Sequence, residues 1–228
     1  MKDVLTGLIR IGRAMRTTYT NARGGLIQLK GNSAYLINDQ RSAILKIDLK
    51  EDIGEGTFYS SEIPVDAETI TLRDDRVMFE WMDGGKTRRV LIPNKGDYSK
   101  LIEKILKKEF KEPDVPINDE LFDLLDKTIL LTRLEVIDGN KLLVVQQKAN
   151  GEVELQNEIP LNKGLSSAFG DEEYEGATKV ISSDLLSLKG VVKSPLKFKM
   201  GENHPLSVSG TIENMPIKAL FSHTIEER

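Results

Sequence analysis

The sequence predicts an α+β protein made of two similar halves, each an antiparallel sheet with helices on one face. Three observations carry this. Each half opens with an amphipathic helix and continues as short apolar runs of strand length. Gly, Asn and Asp clusters separate those runs, as reversals between antiparallel strands require. A proline-bearing stretch, KEPDVPI at 111–117, divides the halves.

The first helix covers Lys2 to Arg16. Strand-like runs follow at 26–29, 34–37, 43–49, 57–63, 68–72, 76–81 and 88–92. Lys30-Gly31-Asn32-Ser33, Arg73-Asp74-Asp75 and Met82-Asp83-Gly84-Gly85-Lys86 supply turns, because Gly, Asn and Asp tolerate tightly reversing backbone. A second helix, SKLIEKILKKEF, spans 99–110, and Pro113 and Pro116 forbid its continuation. Asn118 then caps a helix running to Lys127. Strands are expected at 128–137, 141–147 and 152–159, turning at Asp138-Gly139-Asn140 and Asn150-Gly151. A polar loop at 162–173 leads to a strand at 174–181 and a short helix, SDLLSLKGVV, capped by Ser182 or Ser183. Three more strands complete the chain. The expected organisation is a domain at 1–95, a connector with a basic helix at 96–117, and a second domain at 118–228.

The 228 residues suffice for one large or two ordinary domains. With 39% hydrophobic and 30% charged residues the chain has ordinary globular composition. No apolar run approaches the roughly 18 residues of a membrane span, so no membrane association is expected. The start carries an acid at Asp3 and basic residues through its apolar part, which is not a secretory leader. Cysteine is absent, which removes disulfides, thiolate metal sites and cysteine nucleophiles and suits a reducing interior. The expected location is the cytoplasm or nucleoid.

The net charge of −4 speaks against nucleic-acid binding unless positive charge is concentrated locally. It is concentrated. At about 100° per residue, Val4, Leu8, Ile11 and Met15 share one arc of the first helix, and Lys2, Arg10, Arg13 and Arg16 fan across the other. Solvated helix faces usually mix signs, and this one holds a single acid, Asp3. On the 99–110 helix, Lys100, Lys104, Lys107 and Lys108 oppose Leu101, Ile102, Ile105 and Leu106; a soluble interdomain helix with flexible lysines would look the same. The helix at 119–127 shows acids at Asp119, Glu120, Asp123 and Asp126, which suits its N-terminal dipole.

No catalytic constellation is present. His204 and His223 lack metal-ligand spacing, and no phosphate-binding glycine loop or nucleophile elbow occurs. Asp74-Asp75 and Asp171-Glu172-Glu173 read as solvated turns before Mg²⁺ sites, and Trp81 as a packing aromatic before a base-stacking platform. The expectation is a non-enzyme without cofactor or metal.

The strand, helix and three strands from 177 onward resemble the last third of DNA sliding clamps, including the proliferating cell nuclear antigen of archaea and eukaryotes and the smaller clamps of T4-like phages. Lys199-Met200-Gly201 is similar to the family's Met-Gly turn, Pro205-Leu206 to the opening of its next strand, and Phe221-Ser222-His223-Thr224-Ile225-Glu226-Glu227 to its tail. The similarity extends over about residues 118–227, and the length is close to the phage clamps. It implies a homotrimeric ring of six similar domains, sheets outside and helices around a hole for duplex DNA, held without base readout. Edge strands would pair between subunits. Such a processivity factor tethers a DNA polymerase and needs a separate ATP-dependent loader. The DNA-facing residues it implies are Lys2, Arg10, Arg13 and Arg16, then Lys189 and Lys193. A pocket for a partner peptide would be lined by Phe110, Val115, Ile117, Leu220, Phe221, Ser222 and His223. His223 stands where the family has proline, and the first half has no room for the family's second helix, since 63–70 is short and carries Pro64. The alternative is a clamp-fold regulator that binds a polymerase or clamp partner without encircling DNA.

Overall fold

A computed structural model describes residues 2–15, 24–64, 67, 69–73, 75–108, 110–161, 176–201 and 204–222, with only the backbone of Lys2. The elements in chain order are α1 (Lys2–Ala14), β1 (Leu26–Lys30), β2 (Ser33–Ile37), β3 (Ala43–Asp48), β4 (Glu55–Tyr59), a 3-10 turn (Ser60–Glu62), β5 (Thr69–Arg73), β6 (Arg76–Asp83) and β7 (Lys86–Pro93). Then come α2 (Ser99–Leu106), β8 (Val115–Ile117), α3 (Glu120–Asp123), β9 (Leu131–Ile137), β10 (Lys141–Gln147), β11 (Val153–Pro160), β12 (Ala177–Ile181), α4 (Ser182–Leu186), β13 (Lys193–Lys199), β14 (Leu206–Ile212) and β15 (Met215–Phe221).

An eight-stranded sheet in the order β4-β1-β2-β3-β15-β14-β13-β8 runs through both halves. Two smaller sheets, β11-β10-β9-β12 and β5-β6-β7, flank it. The halves repeat one plan. β4-β1-β2-β3 has the connectivity of β12-β9-β10-β11, and β5-β6-β7 that of β13-β14-β15. Even the last hairpins match: Gly84 and Gly85 turn one at φ of 56° and 80°, and Glu213 and Asn214 turn the other at 49° and 63°. α1 corresponds to α3, and the 3-10 turn occupies the place of α4. Among the strands, β8 has no counterpart in the described residues, and neither does the helix α2.

The pleat divides the large sheet between two cores. Ile27, Leu36, Leu45, Ala219 and Phe221 face the main core, together with Val4, Leu8, Ile11 and Met15 of α1 and Leu185 of α4. Phe58 meets Phe79 edge to face at 5.2 Å, joining the large sheet to β6. On the opposite face Leu26, Tyr35, Ile37, Ile44 and Leu220 form a second cluster beneath Ile102, Ile105 and Leu106 of α2.

Several elements differ from expectation. The 57–63 run leaves the sheet after Tyr59, where Glu62 Oε2 accepts from the Tyr59 N–H and closes the 3-10 turn. α2 stops at Leu106, and its carbonyl accepts from Lys218 Nζ at 2.7 Å. The 119–127 helix is a single turn, because Thr128 N–H and Oγ1 both bond Asp126 and fold the chain toward β9. α4 ends at Leu186, with Ser187 Oγ bonding the Asp184 carbonyl. A short strand, β8, lies inside the proline-bearing stretch: among the described residues it pairs only with β13, so Pro116 sits on an edge strand where a missing N–H is tolerated. The helices of the two halves, α1, α3 and α4, share one face as expected, and the connector helix α2 covers the other.

β3 and β15 carry the joint, so the halves should unfold together. Leu45→Ala, at a fully buried position on β3, is expected to cost about 2–5 kcal/mol in urea unfolding while the transition stays single. Two separated transitions would show that the halves are energetically independent.

Candidate nucleic-acid and partner interfaces

α1 and α4 lie side by side over the main core, and around them stand Arg10, Arg13, Lys189 and Lys193 of the basic residues singled out in the sequence. Arg10 is exposed beside a polar groove of about 360 Å³ lined by Asp3, Thr6, Gly7, Gly190, Val191, Ile212 and Glu213. Arg13 is committed to the fold: its Nε donates to the Ser60 carbonyl at 3.1 Å and Nη2 to the Ile63 carbonyl. These bonds hold the 3-10 turn against α1. Lys189 is matched by Asp123 at 2.8 Å and Lys193 by Glu213 at 3.4 Å. The charge here is therefore mixed, with acids interleaved among the cations. Lys2 opens α1, and Arg16 lies outside the described residues.

The outer face is organised by rows of residues running across the strands. Gln28, Tyr35, Lys46 and Lys218 are register partners in one row, and Leu26, Ile37, Ile44 and Leu220 in the next. α2 lies along both. Its start is fixed by Asp97, which accepts from Ser99 N–H at 2.9 Å, Gln28 Nε2 at 2.7 Å and Lys30 Nζ at 2.5 Å. Lys30, then Ser99 and Gln28, hold the Asp97 carboxyl far below the usual carboxylate range. Midway, Glu103 accepts from Tyr35 Oη at 2.7 Å and pairs with Lys46 at 2.9 Å. Burial pushes Glu103 up, but Lys46 and Tyr35 outweigh it and hold it below its ordinary value. Lys100 and Lys104 on α2 and Lys107 and Lys108 just after it are exposed, as are Leu101 and Tyr98.

Two of the sheet edges among the described residues carry charges of opposite sign. β7 presents Lys86, Arg88 and Arg89 with Leu91 exposed, and β11 presents Glu154 and Glu158 with Val153 and Leu155 exposed. Within the chain four of these charges already have partners on the neighbouring strands or turns: Arg88 with Asp83, Arg89 with Glu80, Glu154 with Lys148 and Glu158 with Lys141.

The continuous sheet, the internal repeat and the helices against its inner face match known structures. The Helicobacter pylori beta clamp aligns with a TM-score of 0.65 and 15% identity over 96% of this chain. A PCNA2–PCNA3 complex of Sulfolobus tokodaii aligns at 0.61 with 9% identity, covering 96% of this chain and 95% of that one. Proliferating Cellular Nuclear Antigen of Entamoeba histolytica aligns at 0.62 with 8% identity over 96% of this chain. The chain has the DNA sliding-clamp fold. It spans 63% of the length of the H. pylori beta-clamp chain, just under two thirds. By sequence it matches no family model and no curated protein.

On this clamp fold the residues implied for a partner pocket do not gather at one place. Val115, Ile117 and Phe221 point into the main core and are at most 2% exposed. Leu220, their neighbour by sequence, points the other way and is buried under α2. Phe110 packs at the edge of that outer cluster, with its ring 5.9 Å from that of His204, and its carbonyl accepts from Lys199. Ser222 N–H continues the β15 ladder to the Ser42 carbonyl at 2.7 Å, and His223 lies outside the described residues. Alternation along β15 separates Leu220 from Phe221 whatever their order in the tail suggests. Sequence reasoning passed over Asp97 and Glu103. Asp97-Tyr98-Ser99 before an amphipathic run is the capping signal that could have found the first, whereas Glu103 carries no local signal.

Asp97 is held low, so its support of α2 is complete above the ordinary carboxylate range and is lost only as pH falls below it. Asp97→Ala should speed amide exchange across 99–106 by about fivefold at neutral pH. The wild type should approach the variant's rate only in strong acid. Equal rates at neutral pH would remove Asp97 as the anchor.

Proposed function

We propose that this chain is a sliding-clamp subunit whose copies join head to tail into a closed homotrimeric ring around duplex DNA, tethering a polymerase to its template. One observation supports the reading: the strands equivalent to those of the internal seam both stand at sheet edges among the described residues. β3 pairs with β15 inside the chain, and the repeat makes β11 and β7 their equivalents. Both of these are free edges of opposite charge.

The register transfers. Asp48 faces Ser33 as Pro160 faces Lys141, and Ile212 faces Met215 as Asp83 faces Lys86. Lys218 opposite Lys46 then becomes Arg89 opposite Glu158 of the next copy. Leu220 opposite Ile44 becomes Leu91 opposite Gln156, and Phe221 opposite Ala43 becomes Ile92 opposite Leu155. Pairing would cover the exposed Leu91 and Leu155 and satisfy two bare ladders. A head-to-tail contact closes into a ring when its rotation permits, and three two-domain copies make six domains.

In such a ring α1 and α4 face the hole. Arg10, with Arg16 and Lys2 from the sequence, supplies positive charge toward phosphates, and Lys189 and Lys193 add to it across their acid partners. The interleaved acids weaken each contact, which suits a wall that must let DNA pass. Encirclement holds the partner on the template, and tethering raises its local concentration. Partner peptides would approach the outer face across α2. Loading would fall to a separate ATP-driven machine.

Light scattering at moderate salt tests the ring. A species of about three chain masses is expected, and Arg89→Glu should shift it at least tenfold toward monomer. Adding Glu158→Arg should restore the assembly by reversing the pair. A wild type monomeric at every concentration, or a double variant no better than the single one, would overturn the head-to-tail seam. A soluble monomer would then favour the regulator that binds partners without encircling DNA.

A further inference from the structure

The charges of α2 are sorted to opposite sides. Its only acid, Glu103, turns toward the sheet, where it accepts from Tyr35 Oη at 2.7 Å and pairs with Lys46 at 2.9 Å. On a solvated helix such an acid would neutralise a lysine three or four places away, Lys100 or Lys107. Asp97, just before the helix, is likewise held by Lys30. Lys100, Lys104 and Lys107 stand at i, i+4 and i+7, a row roughly 10 Å long at the helical rise, and Lys108 lies beside its end. None of the four is in an ion pair with a described acid. On β10 and after it, by contrast, Lys141 meets Glu158 and Lys148 meets Glu154.

Helix stability does not account for the whole row. Lys104 and Lys107 suit the negative end of the helix dipole, but Lys100 lies in the first turn, where a cation is disfavoured and no acid offsets it. The row therefore runs further toward the N-terminus than the helix itself rewards. Beside it Leu101 and Tyr98 each stay 37% exposed. An aliphatic side chain bordering a run of like charge matches a ligand that is both acidic and aliphatic. A polypeptide offers both, whereas a phosphate backbone offers charge without an aliphatic group. On the ring reading proposed above, on which this step rests, the hole lies across the sheet from α2, so the threaded duplex does not reach the row.

We propose that the outward face of α2 docks an acidic polypeptide segment, whose carboxylates meet the row of Lys100, Lys104 and Lys107 and whose aliphatic side chain covers Leu101. The inward turn of Glu103 keeps the row positive. Asp97 at one end of the helix and Lys218 on the Leu106 carbonyl at the other hold α2 in place, so the row is presented without reorganisation. Charge complementarity supplies the attraction, and Leu101 selects for a partner with an apolar group among its acids.

The probe is a fluorescein-labelled peptide, Asp-Glu-Leu-Glu-Asp-Leu-Glu-Glu, read by polarisation on the full chain at low salt. Saturable binding is expected. Lys100→Ala with Lys104→Ala should weaken it about fivefold, and Lys50→Ala with Lys127→Ala, which removes the same charge elsewhere on the surface, should leave it unchanged. Ser in place of both Leu of the peptide should weaken it about threefold. Equal losses in the two double variants would reduce the binding to net charge and overturn the proposal. So would a single-stranded oligothymidine that binds as tightly and competes, which would make nucleic acid the occupant. Tighter peptide binding by Glu226→Ala with Glu227→Ala, two positions outside the described residues, would overturn it by making the chain's own tail the occupant. Light scattering on the same samples separates the site from the ring. An assembled ring that ignores the peptide overturns the docking site alone, whereas a monomer that binds it through Lys100 and Lys104 overturns the ring and bears out the site.

Discussion

The antiparallel pairing of β3 with β15 is the constraint from which the rest of the molecule follows. It places Ile47 opposite Ile217 and Ala43 opposite Phe221, and so turns two four-stranded arrangements into one sheet. Strands on either side of that joint inherit its pleat. Alternate residues of the large sheet's strands near the joint are thereby assigned to the α1 side or the α2 side, and a one-residue slip would exchange the two sets. The main core, the outer cluster and the side-by-side placement of α1 and α4 are consequences of that register.

A single sheet shared by two halves also decides what the helices can do. α1 and α4 come from different halves, yet they lie together because both cover the same face of a continuous surface. The buried set of Asp184 in α4 with Asn38 and Ser42 in the first half, at 3.2 and 2.7 Å, belongs to the same joint. Arg13 shows that a helix bearing exposed cations is not simply a charged surface. Its guanidinium bonds main-chain carbonyls of the 3-10 turn, so part of the helix's positive charge serves the fold.

Much of this was legible in the sequence, for identifiable reasons. α1 declared itself because Val4, Leu8, Ile11 and Met15 keep helical period against a basic face, and burial alone satisfies that pattern. The hairpins declared themselves because Gly84-Gly85 and Gly139 need the turn conformations they adopt. β8 was hidden because Pro113 before it and Pro116 within it read as a break, although an edge pairing tolerates Pro116. The shortened α3 was hidden because Asp126 serves a turn through Thr128, where the sequence shows only one more acid. The pocket residues scattered because resemblance conveys order along the chain, whereas the face on which Leu220 or Phe221 emerges is set by the ladder. Bonds between distant segments, such as Glu103 to Tyr35 and Lys46, leave no local trace at all.

The asymmetry between the two seams bears on how a ring of such chains would work. At the internal seam the outer row is Leu26, Ile37, Ile44 and Leu220, and it is buried by α2. The repeat would place Arg133, Val145, Gln156 and Leu91 at the matching positions of the proposed seam between copies, a more polar set. An apolar row there would make every free chain adhesive before assembly, since bare edges already invite pairing. A polar row with oppositely charged edges permits selective docking while the unpaired chain remains soluble. The internal joint, which never needs to open, is the one that carries an apolar row and a strap across it. A joint that must form between separate chains, and open to admit DNA, is better served by ladder bonds and charge than by a second buried core.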